Sequence, residues 1–518
     1  MVRGLGHDAE HQSSPRRESQ NLPAPRRRTG PAGGRTHRGG LRHPGAIDDE
    51  YHQLRGGRGI MKRLHTPFQT MAGAGRGSAG YSQRGSVLIL VLWVAFGLVS
   101  LALYFAQSTS HELKAADQRV AGLQAEYAIQ GGLRYLQHYL VQYGTNGLLP
   151  DPRDCRPEEV PVGDSLFWFI GRGDRPRRLD EPVFGVVDEA SKLNLNTATA
   201  AMLEALPGMT PQLAGAIVDW RDADSEPSEN GAENEVYARF QPPRRCKNAP
   251  FESLEELRLV AGAELEVLFG EDLNLNGVLD PNEDDGDQSP PYDNRDGRLD
   301  AGLFEYVTVS SNEPLTLPDG SRRIHLNTGR QELTRLLTEK FGEDRGRELQ
   351  AALAGGGNFN SVLEFYVRSR MTADEFAQIQ TNLTVATGNG ATGLINVNTA
   401  SEAVLSCVPG IGPEKAPGLV AFRMANPNRL NSMAWVTEVL DEQGAIRAGR
   451  FLTGESHQFS VDIAAVGRHA RGYRRIRYVL DNSGSEPRVM YQRDLTSLGW
   501  ALGVETRERL HNQRQARR

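Results

Sequence analysis

The sequence predicts an α+β protein: one long N-terminal helix, an antiparallel β-sheet, and a large α-helical insertion looped out of that sheet. Three observations carry this. An apolar run opens at Ser86 and continues without a break as an amphipathic helix. Strand-like segments stand both before residue 191 and after residue 455. Between them, a helical motif recurs.

The 518 residues leave room for about three or four modules at roughly 100–200 residues each. A mean hydropathy of −0.48 marks most of the chain as water-soluble. The formal charge of −6 is uneven: residues 1–60 hold 11 Arg against 6 Asp and Glu, which leaves −11 on the remainder. An acidic remainder is poorly suited to phosphate backbones. There is no nucleophile elbow, phosphate loop, CxxC or HExxH, and His325 reads as a strand residue, so no enzyme is expected.

Residues 1–85 read as a disordered leader rich in Arg, Gly, Pro and Ser, and Met61 or Met71 offers a later true start. From Ser86 the run SVLILVLWVAFGLVSLALYFAQ is long enough to cross a bilayer as a helix. Val120, Leu123, Tyr127, Leu133, Leu136 and Leu140 then recur at helical spacing, predicting one helix over 86–143. Lys62, Arg63, Arg76 and Arg84 precede the span and place the N-terminus in the cytoplasm.

Strands are expected at Leu166–Gly171 and Pro182–Glu189, within 144–190. Others are expected within 456–500, where Phe459, Val461 and Ile463, and then Ile476, Tyr478 and Leu480, alternate with polar residues. Residues 501–518 are left as a tail.

The insertion, 191–455, contains two related segments, Leu193 to Arg221 and Ile395 to Arg423. Each runs apolar-Asn-apolar-Asn-Thr, an apolar-periodic helix, Pro-Gly, and a second helix. Asn196-Thr197 and Asn398-Thr399 are expected to cap the first helices, and Pro207-Gly208 and Pro409-Gly410 to turn between them. A weaker third copy starts at Ile324-His325-Leu326-Asn327-Thr328 without recognisable hairpin glycines. This is a helix-hairpin-helix signature (SAM-like in fold). In DNA-binding versions the hairpin amides hold phosphates. Here the first copy runs into an acidic stretch, and the second keeps Gly410-Ile411-Gly412 and Lys415 with few other cations, so a structural use is favoured and nucleic acid is not an expected partner.

A calcium loop is expected within about 271–305. Asp272, Asn274, Asn276, Gly277, Asp280 and Glu283 match loop positions 1, 3, 5, 6, 9 and 12, and Val278 offers its carbonyl. Oxygen donors at alternate positions converge on a hard cation, in a structural role. A partial second copy has Asn294, Asp296 and Asp300 but Tyr292 and Leu303 at its first and last positions. Asp222, Asp224, Glu226 and Glu233 form a further acidic cluster. Of three cysteines, Cys155 and Cys246 lie in polar, Pro-rich sequence and are free to pair in an oxidising compartment, whereas Cys407 reads as buried.

The long helix, apolar and then amphipathic, resembles that of a type IV pilin or pseudopilin. The leader ends Arg84-Gly85, matching the glycine after which a prepilin peptidase cuts. Leu90 stands at the fifth mature position, where most pilins have glutamate; minor pseudopilin K of type II secretion systems resembles this pattern. Trp220-Arg221-Asp222-Ala223-Asp224, Gly231-Ala232-Glu233, and Asn248-Ala249-Pro250-Phe251 leading to Leu254-Glu255-Glu256-Leu257 also resemble that family. The resemblance implies a pilin-like fold, cleavage after Gly85 and methylation of Ser86. It implies a single-pass inner-membrane anchor with a periplasmic head, at the tip of a pseudopilus that supports protein export across the outer membrane. Its implied partners are pseudopilins I, J and H, the secretion machinery and, as further candidates, secreted substrates. It also implies a cation at Asp222, Asp224 and Glu233. The rival reading is a membrane-anchored DNA receptor for uptake, which would call for a basic soluble domain.

Overall fold

The computed structural model describes residues 86–143, 155–172, 182–286, 288, 290, 292–353, 357–388 and 390–516. Met61, Met71 and Gly85 lie outside the described residues.

Ser86–Tyr143 is one helix of 58 residues, roughly 85–90 Å long at 1.5 Å per residue. Among the described residues it is the helix long and apolar enough to cross a membrane, by length and composition. Its first half is exposed throughout, Val87 to Phe105 included. Its second half lies on a sheet through Ala125, Ala128, Ile129, Leu133, Leu136 and Leu140. Val120, Leu123 and Tyr127, expected on the same face, are 43%, 55% and 72% exposed instead. The helix presents its small residues to the sheet here because the sheet comes so close. A Cβ on Gly472 would sit 2.3 Å from the Ala121 backbone, so this hairpin glycine, at φ +65°, is what lets the chain pass.

The sheet is antiparallel and centred on Gln458–Gly467. One neighbour is Ser165–Ile170, with Val160–Val162 beyond it; the other is Arg471–Asp481, with Arg488–Asp494 at that edge. Ile463 sits opposite both Phe169 and Ile476. Val187–Asp188 pairs with Ser460 and Phe459 at the end where the chain departs. Strands that flank the insertion in sequence are thus adjacent in space. Phe459, Val461 and Ile463 face the long helix. The opposite face, which carries Trp168 and Ala464, is also covered, by Ala501, Leu502 and Leu510, so the central strand is buried along its whole length. The segment expected as a tail is in part a helix, Gly503–Ala516, seated by Leu510.

The insertion is three tandem modules sharing one core. Each closes on a two-residue parallel ladder: Leu193–Asn194 with Val307–Thr308, Ile324–His325 with Leu383–Thr384, and Ile395–Asn396 with Leu452–Thr453. In each, the threonine hydroxyl accepts the amide two residues on, from Ser310, Ala386 and Glu455. Helix pairs follow the opening strands: Ala200–Glu204 with Pro211–Arg221, and Glu402–Ser406 with Gly412–Ala425. In the middle module Arg330–Leu353 is broken at Gly342 (φ 80°, ψ 170°), the hairpin glycine that the sequence pattern did not reveal.

The expected helix caps move by two residues. Thr199 and Ser401 cap, accepting from Met202 and Val404. The asparagine two residues past the end of each opening strand instead bonds the far half of its own module. Asn196 holds both backbone groups of Phe251, Asn327 does the same to Phe359, and Asn398 donates to the Leu430 carbonyl while accepting from the Trp435 indole.

Candidate metal centres in the insertion

The first loop lies in the first module, after the helix Leu265–Phe269. Asp272, Asn274, Asn276, Val278, Asp280 and Glu283 are all buried, none more than 7% exposed. Gly277 at φ +76° turns the chain so that its own amide and that of Asn276 donate to the Asp272 carboxylate at 2.8 and 2.9 Å. Asn274 and Asn276 donate through Nδ2 to Asp280 Oδ2 at 2.6 and 3.0 Å. The Glu283 carboxylate accepts from the amides of Leu273, Asn274 and Asp280.

Three carboxyls are therefore gathered in a buried loop. Burial raises the Glu283 carboxyl to about 8, with Asp272 and Asp280 adding repulsion. Burial raises Asp272 and Asp280 as well, although Arg172 opposes the effect at Asp272. Asn274 Oδ1 is buried without a partner. An orphaned acceptor among carboxylates is a site short of positive charge. Its donors are all oxygen, as hard cations require.

The partial second loop is different. Asn294, Asp296 and Asp300 are exposed. Asn294 donates to Asp300 at 2.8 Å, and Asp296 accepts the Arg298 amide. Sequence reasoning missed Glu271, which is 5% exposed. It accepts the amides of Asn294 and Asp300 at 3.1 and 2.8 Å. Their counterparts in the first loop, Asn274 and Asp280, are held by Glu283. Glu271 thus fills the bracing role that Leu303 cannot. The available signal was an acid directly preceding Asp272.

At the third cluster, carboxylate oxygens of Asp222, Asp224 and Glu233 lie within 4.8 Å of one another. They stand where the helix Pro211–Arg221 ends and Asn234–Tyr237 begins. Burial and neighbouring acids raise both Asp222 and Glu233. Asp222 Oδ1, Glu233 Oε1 and Asn248 Oδ1 are buried without partners, which adds Asn248, at φ +47°, as a donor that the sequence did not single out.

The cysteines do not pair. Cys155 lies in the helix–sheet core and Cys246 in the insertion core; both are buried and free, as is Cys407. Burial pushes their thiols up to about 12, 11 and 12 respectively.

The long helix, the sheet it lies on and the helical insertion together make an α+β protein. Part of the chain is similar to the protein K of type II secretion systems. Residues 187–268 match that family's model, described as type II secretion system (T2SS), protein K. The type II secretion system protein K of Pectobacterium carotovorum subsp. carotovorum is 41% identical over 208 residues, covering 36% of this chain and 60% of that one. The protein of the same name from Klebsiella pneumoniae is 45% identical over 53 residues, 10% of this chain and 16% of that one. The chain thus spans less than two thirds of the length of the curated relatives it matches. The crystal structure of the GspK-GspI-GspJ complex from the type 2 secretion system of enterotoxigenic Escherichia coli aligns at a TM-score of 0.31 and 12% identity, covering 72% of this chain and 98% of that one.

Proposed function

We propose that the protein is a minor pseudopilin at the tip of a type II secretion pseudopilus, supporting protein export. The observation that carries this is the position of the protein K segment, 187–268: it opens an insertion between paired strands of the head, above a helix whose apolar half is bare. A carboxylate within hydrocarbon is tolerable only when paired. Leu90 dispenses with that requirement, which suits a subunit with no neighbour above it. The exposed row Leu113, Val120, Leu123 and Tyr127 supports packing against other filament helices, those of pseudopilins I, J and H. The N-terminus lies in the cytoplasm and the head in the periplasm.

The paired helices are read as helix-hairpin-helix units in a structural role. The hairpin amides of Ile411 and Gly412 already donate to the Val408 carbonyl, which leaves them unavailable to a phosphate. This argues against DNA reception.

Calcium is the proposed cation of the Asp272–Glu283 loop, and Asp222, Asp224, Glu233 and Asn248 form a second centre. The orphaned oxygens at both support the reading.

Mass spectrometry of the membrane-purified chain, with active prepilin peptidase present, should find Ser86 as the N-terminus. An intact leader would overturn the pseudopilin reading. Pull-down with pseudopilins I, J and H tests the place in the assembly.

A further inference from the structure

The first loop does more than close on itself: it touches the sheet. Arg475, on the strand Arg471–Asp481, is 0% exposed. Its guanidinium donates to two consecutive loop carbonyls, those of Asn274 and Leu275, the latter at 2.6 Å. It also pairs with Asp462 of the central strand at 2.5 Å. Arg172, just past the end of Ser165–Ile170, donates to the same Leu275 carbonyl at 2.9 Å, pairs with Glu305 at 2.7 Å and stands 4.0 Å from Asp272. Asn274 Nδ2 donates to the Trp500 carbonyl at 3.3 Å. Three separate parts of the head therefore hold one turn of the loop.

We infer that this loop is a cation-operated latch: a divalent ion held by Asp272, Asn274, Asn276, Asp280 and Glu283 locks the first helical module onto the head through Arg475 and Arg172. The inference rests on the calcium reading of the loop. The physical cause is geometric. A cation fixes the side chains at alternate positions, and so fixes the direction of the carbonyls of Asn274 and Leu275 between them. Those carbonyls accept the hydrogen bonds of the buried Arg475 guanidinium, beside its counter-charge on Asp462. Without the ion the loop relaxes, the carbonyls turn away, and Arg475 is left buried with Asp462 already shared with Arg477. A buried charge short of acceptors is costly, so the joint opens.

Hydrogen–deuterium exchange of the full detergent-solubilised chain tests this, with calcium chloride against a chelator. Calcium binding is measured in parallel by isothermal titration. Calcium is expected to slow exchange at least tenfold in residues 271–283 and, in step, in 471–481. The Arg475→Met variant should still bind calcium and protect the loop but lose the response of the strand, whereas Arg475→Lys should recover part of it. Calcium that binds and protects the loop while leaving 471–481 of the wild-type chain unchanged would overturn the latch and leave the site standing. No binding would overturn both.

Discussion

Asn327 grips the backbone of Phe359 from both sides, its Oδ1 accepting the amide at 2.7 Å and its Nδ2 donating to the carbonyl at 2.9 Å. The same grip joins Asn196 to Phe251, at 2.7 and 3.0 Å. The asparagine two residues past the opening strand is thus the fastener of each module. In the outer two modules an arginine reinforces it: Arg221 donates to the carbonyls of Leu195 and Ala198, and Arg423 to those of Val397 and Ala400.

Asn327→Ala removes two hydrogen bonds and leaves both backbone groups of Phe359 without partners. The expected loss is about 2 kcal/mol, taking roughly 1 kcal/mol per bond. Asn327→Asp keeps the acceptor and loses the donor, and should cost about half as much. Urea denaturation of the purified chain measures both.

These fasteners explain how much was legible in the sequence. The apolar run, the opening strands of the modules and the alternating residues of the C-terminal strands each depend on a local period, and a local period is visible in a sequence. The closing halves of the modules were not, because Phe251 and Phe359 are recognised through their backbone groups, which any residue supplies. The middle hairpin escaped because Gly342 alone breaks an otherwise helical pattern. Oxygen-bearing side chains at fixed intervals made the first buried acidic loop legible. Glu271 and Asn248 were not, since one acts on a neighbouring loop and the other comes from 15 residues beyond Glu233. The assignment of Val120, Leu123 and Tyr127 to the sheet-facing side failed because close approach selected alanines over larger residues.

Gly472→Ala probes that close approach. The new methyl would meet the backbone of Ala121 and Gly122, at a left-handed φ. Strain at such a φ costs roughly 1–2 kcal/mol and overpacking about 1–3 kcal/mol, so a loss of about 3 kcal/mol is expected. Limited proteolysis between Gly467 and Arg474 should become faster. An unchanged melting temperature would show that the hairpin does not press on the helix.

Asp188 stands where the chain leaves the sheet, and ties that exit to the return strand. Its carboxyl accepts from Asn396 Nδ2 at 3.1 Å, Thr399 Oγ1 at 2.6 Å, Ser456 Oγ at 2.5 Å and the Ala190 amide at 2.9 Å. Asp188→Ala removes the acceptor of four hydrogen bonds, although Asn396 keeps its bond to Ser456 and Thr399 its bond to the Asn396 carbonyl. At roughly 1 kcal/mol for each lost bond, a loss of about 3 kcal/mol is expected, read from a thermal melt. The effect should extend to the third module, which Asn396 opens, and be visible there as faster amide exchange.

The Asp272–Glu283 loop should make the stability of the chain depend on pH in a direction that calcium would erase. The Glu283 carboxyl is raised from 4.5 to about 8 by burial and by Asp272 and Asp280. Between those values the unfolded chain has released this proton and the folded chain retains it. The contribution to stability is therefore complete below about 4.5 and lost as pH rises through about 8. With a chelator present, the melting temperature should fall from pH 5 to pH 8. With millimolar calcium it should not, because the ion takes over the charge compensation that the proton provided, and stabilises the folded state by mass action. Asp272→Ala combined with Glu283→Ala removes two of the three carboxyls, and should abolish both the calcium response and the fall with pH. A double variant that still melts higher in calcium would place the responsive ion elsewhere, with the Asp222, Asp224 and Glu233 cluster as the next candidate. Replacing Glu233 by Gln on that background would decide between them.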